Sequence, residues 1–456
     1  MSKTDGLLLN RIKGISDLSI QKISLYLLLL WICYPLVAML LNLFNVDGTI
    51  VYTLWLLILY FAGAIGLVFG AINLFKKDDY SFSSIKLDLY ENLPLVFLAL
   101  FILWSLLCCL FADDKHMAFY GIVPMSSSWF TFLFFGGFIV EAMNVAKNKK
   151  YVLVLARVLI GVSAIQSIFT ILNNDVSRCV NIAEPYTNCF EYQSVFCNTN
   201  HYAYYLLMTT LLAFFMVGLS KSIFEKIVCL LIYILQINLL ILNNTLGAYL
   251  SLALTILIVI LWKFINNENN KIISIVLLVV FVIVSACSML YSDNIKTNVF
   301  GLSSDMSTII GDEDTASVGS GRGELWKNAL YCVKESPVFG CGFENHGKFG
   351  PSVDSSNEVF VTQPHNFLLF YAKYTGIPGL LLYLSALISG VVKLIKNREM
   401  NNSATETAAF IMVAYLASEF FGVIKFYTAP YYCIALGFCL LAYRELESNQ
   451  YEKKSN

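Results

Sequence analysis

Four histidines occur in this sequence, His116, His201, His346 and His365, and His365 stands in a string suited to proton transfer at a helix mouth. The string is PHNFLLFYAKYTGIPGLL: His365 and Asn366 open an apolar run, and Gly376 and Gly379 follow in a G-x-x-G spacing. Imidazole titrates near ~6.5, so it can accept a proton at neutral pH. The spacing predicts Gly376 and Gly379 on one helix face, where small residues admit a close neighbour and fix the helix that aims His365. Upstream stands GSGRGELWKNALYCVKESPVFGCGF. Arg322 carries a planar, permanently charged fork suited to phosphate oxygens; the plainer alternative is a solvated loop arginine paired to Glu324. From Arg322 a short amphipathic helix is expected, with Leu325, Trp326, Ala329, Leu330 and Val333 at helical spacing. Pro337, Gly340 and Gly342 then make a tight turn. Lys373 and Glu419 lie in apolar runs and need partners there; Lys373 either meets an anion or pairs with Glu419. Metal chemistry is not expected, because no H-E-x-x-H occurs, and neither is a phosphate-cradling P-loop.

The elements that position these residues follow from composition. Apolar residues make up 58% of the 456 and charged residues 13%, against roughly 45–50% and about 25% in soluble domains. Mean hydropathy is +0.69. This excludes a soluble globular protein and a disordered one. Thirty basic against 31 acidic residues give a net charge of −1, so no global basic field points to nucleic acid. The expectation is an all-α polytopic membrane protein, one domain over 1–456. Its twelve expected spans are 23–44, 50–75, 93–112, 128–146, 151–172, 200–219, 223–242, 245–265, 272–291, 366–392, 405–424 and 428–444. The first lacks a cleavage signal and reads as a retained helix. Lys and Arg cluster on one side of this arrangement, 20 of the 30, which puts both termini in the cytoplasm of a cell membrane protein. Apart from 292–365, the loops opposite hold only Lys115, Arg178 and Lys425.

Two outer loops are long, 173–199 and 292–365. The second is large enough to fold against the membrane domain and holds Trp326, Phe339, Phe343, Phe349 and Phe360. Of the 12 cysteines, Cys33, Cys108, Cys109, Cys229, Cys287, Cys433 and Cys439 sit in apolar stretches as small core residues. Asp113 and Asp114 form an adjacent acidic pair at an outer loop edge.

Over residues 195–395, and most clearly 320–382, the sequence resembles the O-antigen ligase / O-antigen polymerase family of bacterial membrane enzymes. The matching pieces stand in the family's order: FCNTNHYAYYLL, NNTLGAYLSLALTILIVILW, GRGELW, PVFGCG, then PHN with its G-x-x-G. DDKHMAFYGIVPMSSSWFTFLFF resembles the loop and helix the family carries early. The resemblance implies a glycosyltransferase that takes a glycan from a polyprenyl pyrophosphate and joins it to a hydroxyl acceptor, itself a glycan or lipid-linked glycan, on the outer face, without a cofactor. Arg322 would bind the pyrophosphate and His365 would be the base or acceptor-positioning group. Asn366, Gly376, Gly379, Trp326, Gly340 and Gly342 would be the structural part of the motif. Two departures stand out. The family's second arginine is absent from Thr245-Leu246-Gly247, leaving Arg178, Lys373 and His201 as candidate substitutes, and Tyr374 stands where the family often has an acid. Ligase and polymerase remain alternatives. A transporter or flippase of lipid-linked glycans is the rival reading, for which repeat symmetry or interrupted helices would be expected; the sequence suggests neither. A non-enzymatic scaffold in polysaccharide assembly is a third.

Overall fold

The computed structural model describes residues 14–76, 92–121, 126–172, 192–196, 198–266, 268, 270–291, 318–345, 363–396, 403–422 and 424–440. Arg178, His346 and most of the two long loops lie outside them. The described residues form helices and no strand. In chain order these are α1 (Asp17–Leu43), α2 (Gly48–Phe75), α3 (Leu93–Leu110), α4 (Lys115–Tyr120), α5 (Trp129–Ala146), α6 (Lys149–Leu172), α7 (Thr199–Leu219), α8 (Ile223–Leu242), α9 (Leu246–Ile265), α10 (Lys271–Tyr291), α11 (Val318–Glu335), α12 (Phe367–Lys396), α13 (Ser403–Glu419) and α14 (Ala429–Leu440).

Ten of these helices are long and apolar enough to cross a membrane. They coincide with the first ten expected segments to within two residues at each end, except that α1 starts six residues earlier and α12 runs four residues further. The eleventh and twelfth expected segments correspond to α13, which has 17 residues, and to the shorter α14. Long apolar runs without charge form helices here because, in lipid, each backbone N–H and C=O must be satisfied within its own segment.

α7 is the centre of the bundle. Residues 201–216 are all buried, so this helix is covered on every side and needs no polar face. Around it the helix ends are tied by local chemistry. Ser16 Oγ accepts Ser19 N–H to cap α1, and Lys76 at the end of α2 bonds Asp17 Oδ1 at 2.6 Å, closing the α1–α2 hairpin. The α2–α5 contact is unusually close. A Cβ on Gly66 would lie 2.2 Å from Gly137 O, and one on Gly137 1.9 Å from Gly63 O, so the two backbones touch as in small-residue helix pairs.

Three expectations change near the C-terminal half. α12 is interrupted: Gly376 has φ 68 and ψ 178 inside it, so Gly376 and Gly379 do not share a continuous helix face. The expectation of uninterrupted helices does not hold there. α11 begins four residues before Arg322. Its buried side centres on Ala329 and Cys332, while Leu330 is 57% exposed. The α11 face that packs inward is therefore rotated from the one its large apolar residues suggested, because Leu330 spends its apolar surface on the outside of the bundle.

The break in α12 is where the tight turn docks. With Gly376 out of helical geometry, the preceding carbonyls lose their intrahelical donors. Cys341 N–H donates to Lys373 O at 3.0 Å and Gly342 N–H to Tyr374 O at 3.1 Å. Trp104 Nε1–H from α3 donates to Thr375 O at 2.9 Å. In the other direction, Ile377 N–H donates to Pro337 O at 2.8 Å. Gly340, with φ +64, allows this approach: a Cβ there would lie 2.6 Å from Lys373 O. Gly379 packs beneath Thr375 and Trp104.

Candidate functional site

Asn366 caps α12, its Oδ1 accepting Leu369 N–H at 3.0 Å. His365 immediately precedes the cap and has φ 49, a left-handed conformation that is costly for a residue with a Cβ. Its Nδ1 is buried and has no hydrogen-bond partner among the described residues. A strained backbone thus holds an imidazole inside the protein with a ring nitrogen unengaged among the described residues.

Arg322 lies early in α11. One turn on, Trp326 stacks over Phe421, ring centroids 6.5 Å apart. Phe421 follows α13, and its Cβ is 3.5 Å from where a Gly247 Cβ would stand. The start of α9, where the family's second arginine is missing, is therefore packed against the same corner. Thr245 in that helix start is held by Asn243 Oδ1 at 2.6 Å and faces Asn200 Oδ1 at 3.3 Å.

A cation enters this corner from the connection between α13 and α14. Lys425 is 2% exposed. Its carbonyl accepts Ala429 N–H at 2.9 Å, starting α14, and the Ile424 carbonyl accepts Ser127 Oγ–H at 2.8 Å. Both anchors fix the residue in the interior. His201, in the first turn of α7, is buried and its Nδ1 lies 2.5 Å from Tyr427 Oη. Tyr427 packs in turn on Tyr52, Trp55 and Phe196.

The electrostatics bring these groups together. His365 is pulled down from its usual value to about 3, first by burial, then by the charges of Arg322 and Lys425. Lys425 and His365 also act on His201, and Arg322 on Tyr204. Glu419, at the end of α13, is fully buried and lies within the field of Lys425. An arginine, a lysine, two imidazoles and one carboxyl are gathered from α7, α11, the mouth of α12, α13 and residues 424–428. Such a set can hold a multiply charged oxyanion and keep a neutral nitrogen base beside it.

The other sequence candidates lie elsewhere. Lys373 is fully buried, with its ammonium 5.1 Å from the Tyr374 ring centroid, and Cys341 and Cys332 are the groups that act on it. Those contacts turn it toward the docked 337–342 turn. Arg178 lies outside the described residues. Gly340, Gly342 and Gly376 build the docked turn, and Trp326 braces α11. Asp114 serves as a helix cap, its Oδ1 accepting Met117 N–H at 2.9 Å, and its backbone exchanges bonds with the Asn345 side chain at 2.9 and 3.1 Å. Glu344 accepts Ser127 N–H. The early loop therefore buttresses the late one.

Lys425 was not singled out from sequence as a site residue, although a signal existed. It is one of three basic residues that the expected outer loops hold apart from 292–365, and a lysine on the base-poor side of a membrane protein needs a local reason.

Residues 229–384 match a family model described as O-antigen ligase. A curated relative, an uncharacterized protein of Haemophilus influenzae, is 21% identical over 186 residues, which are 40% of this chain and 46% of that protein. The chain thus spans about half the length of that relative. The matched segment contains Arg322, His365 and the whole docked turn, so the part of the chain that is similar to the O-antigen ligase family is the part that carries the candidate site.

Proposed function

We propose that this protein transfers an oligo- or polysaccharide from a polyprenyl pyrophosphate to a hydroxyl acceptor at the outer face of the cell membrane. The observation that carries the reading is the convergence of Arg322, Lys425 and His365 at the ends of α11, α14 and α12. A pyrophosphate is already a competent leaving group, and fixed cations stabilise the charge it gains as the glycosidic bond to phosphorus oxygen breaks. Arg322 offers a planar fork and Lys425 a point charge to the diphosphate oxygens. The acceptor oxygen bonds to the anomeric carbon, its proton passes to His365, and the carrier diphosphate departs with the bonding electrons.

The depressed His365 supports the base role. At neutral pH its imidazole is uncharged and ready to accept. Burial is the larger cause of that lowering; a diphosphate seated between Arg322 and Lys425 cancels only the part that their charges add, so donor binding strengthens the base by that part at the moment it is needed. Lys425 takes the place of the arginine missing at Leu246, and His201 lines the same corner. The charge distribution that puts Lys149 on the cytoplasmic side puts this corner outside, where nucleotide sugars are absent and lipid-linked glycans are the available donors.

Transport of a lipid-linked glycan is the second reading, favoured by the interruption of α12. Against it, the carbonyls opened at the break are engaged by Cys341, Gly342 and Trp104, so they do not form an ion site.

The deciding experiment is transfer by the purified protein from a defined lipid-linked oligosaccharide. His365→Ala should lower the rate by ~10²–10⁴-fold, the usual contribution of a positioned base, with donor binding retained. His365→Gln should not restore it, since an amide accepts no proton. Recovery of most of the rate by Gln would reduce His365 to an orienting group, and full activity of Arg322→Ala would remove the pyrophosphate grip.

A further inference from the structure

A cavity lies at the opposite end of the bundle from His365. It occupies about 710 Å³, within the roughly 300–1,000 Å³ of small-molecule sites. α6, α7, α13 and α14 form its walls. Leu155, Leu212, Phe215, Ile411, Ile434 and Phe438 are among the side chains that make it apolar. Its mouth carries Lys149, Arg157, Lys221 and Glu225. Glu225 is engaged by Arg157, Nε to Oε1 at 2.7 Å and Nη2 to Oε2 at 3.0 Å. The ammonium groups of Lys149 and Lys221 thus leave the rim with a surplus of two positive charges. Met208 to Leu219 line its length along α7, a span of roughly 16 Å at ~1.5 Å per residue. That is close to half of a ~30 Å hydrocarbon core, the depth of one leaflet.

We infer that this crevice is a binding site for one anionic membrane phospholipid, its acyl chain between α6, α7 and α14 and its phosphate at Lys149 and Lys221. Depth, apolar walls and a cationic rim match the three parts of such a lipid: chain length, chain chemistry and headgroup charge. Soluble anions fit only the rim, and a neutral lipid leaves the rim charge unanswered. On the orientation read from the basic residues, this is the cytoplasmic leaflet, whose anionic lipids favour such cations. The site shares no side chain with the Arg322–His365 corner, so it stands or falls separately from the transfer reaction.

The test is native mass spectrometry of the purified full chain in neutral detergent, titrated with phosphatidylglycerol or phosphatidylcholine of equal chain length. Phosphatidylglycerol should bind at one site and more tightly. A lysine near an anionic headgroup contributes about fivefold, so Lys149→Glu with Lys221→Glu should weaken phosphatidylglycerol by at least ~10-fold and leave phosphatidylcholine nearly unchanged. Leu212→Trp, which fills the crevice, should reduce binding of both. Equal affinity for the two lipids, or no loss in the double charge variant, would overturn the proposal. So would preferential retention of a polyprenyl phosphate. Removal of residues 441–456 is the remaining control: unchanged phosphatidylglycerol binding supports the crevice as the site, and loss of binding would overturn it.

Discussion

Two seams of this bundle are built on glycine, and they use it for opposite purposes. Between α2 and α5, Gly63, Gly66 and Gly137 stay helical and remove side chains so that two intact backbones touch. Between the 337–342 turn and α12, Gly376 and Gly340 leave ordinary geometry so that a backbone can open and bond to another. The first seam gains mainly dispersion contacts, with a side-chain bond at its end, Asn73 Nδ2–H to Asn144 Oδ1 at 3.2 Å. The second gains directional hydrogen bonds, and Arg322 and His365 sit at its two margins. Close packing brings helices together; the opened helix also sets the angle at which α11 and the mouth of α12 meet.

The contrast predicts unequal damage. Gly376→Ala should be the most severe change. Its φ and ψ fall in a region open essentially to glycine, at about 1–3 kcal/mol for strain alone, and the added Cβ would lie 2.0 Å from Val338 O. We expect loss of both the folded protein and transfer, measured by detergent-stable yield and rate. Gly376→Asn should fail to rescue, since the clash is unchanged. A fully active Asn variant would show that φ, rather than the docked turn, is what the position requires.

Lys425→Met and Lys373→Met come next and separate the margin of the second seam from its interior. If Lys425 grips the donor, losing one charged contact should raise the donor Kd by ~10–100-fold, as for ~1.5–3 kcal/mol. Lys373→Met should change donor affinity little, because that ammonium faces Tyr374, Cys332 and Cys341. Equal losses in donor affinity would merge the two cations into one site. Gly66→Ala then tests the first seam. Overpacking of about 1–3 kcal/mol should lower the thermal midpoint, while the rate per folded molecule stays at the wild-type level.

The smallest expected effect is in pH. With His365 near 3 in the unoccupied protein, its base form is populated from pH 5 to 9, and kcat/KM should show no limb from it there. Donor binding raises that value, so kcat should fall on the acid side at a higher pH than kcat/KM does. Coincident profiles would mean that Arg322 and Lys425 do not share the donor.

Much of this architecture was legible in the residues themselves. Apolar runs separated by charged loops locate ten helices because lipid allows few alternatives for such segments. The histidine, the arginine and the G-x-x-G were visible as types and spacing. The break at Gly376 was not, since a glycine that packs and a glycine that opens a helix have the same sequence neighbours. What distinguishes them is the 337–342 turn, more than thirty residues upstream, whose N–H groups meet the freed carbonyls. Lys425 was hidden for a related reason: its chain neighbours are apolar and aromatic, and its companions come from α7, α11 and α12.

The bond from Ser127 to the carbonyl of Ile424 joins residues 297 positions apart, and Asp114 and Asn345 are 231 apart. During synthesis the ribosome releases the early loop long before either partner exists. The proposed donor grip therefore cannot form on a nascent chain: its second cation arrives only with the connection into α14. A chain stalled before that point would hold His365 and Arg322 without Lys425, and would be inserted but inert toward the cell's pool of glycan carriers.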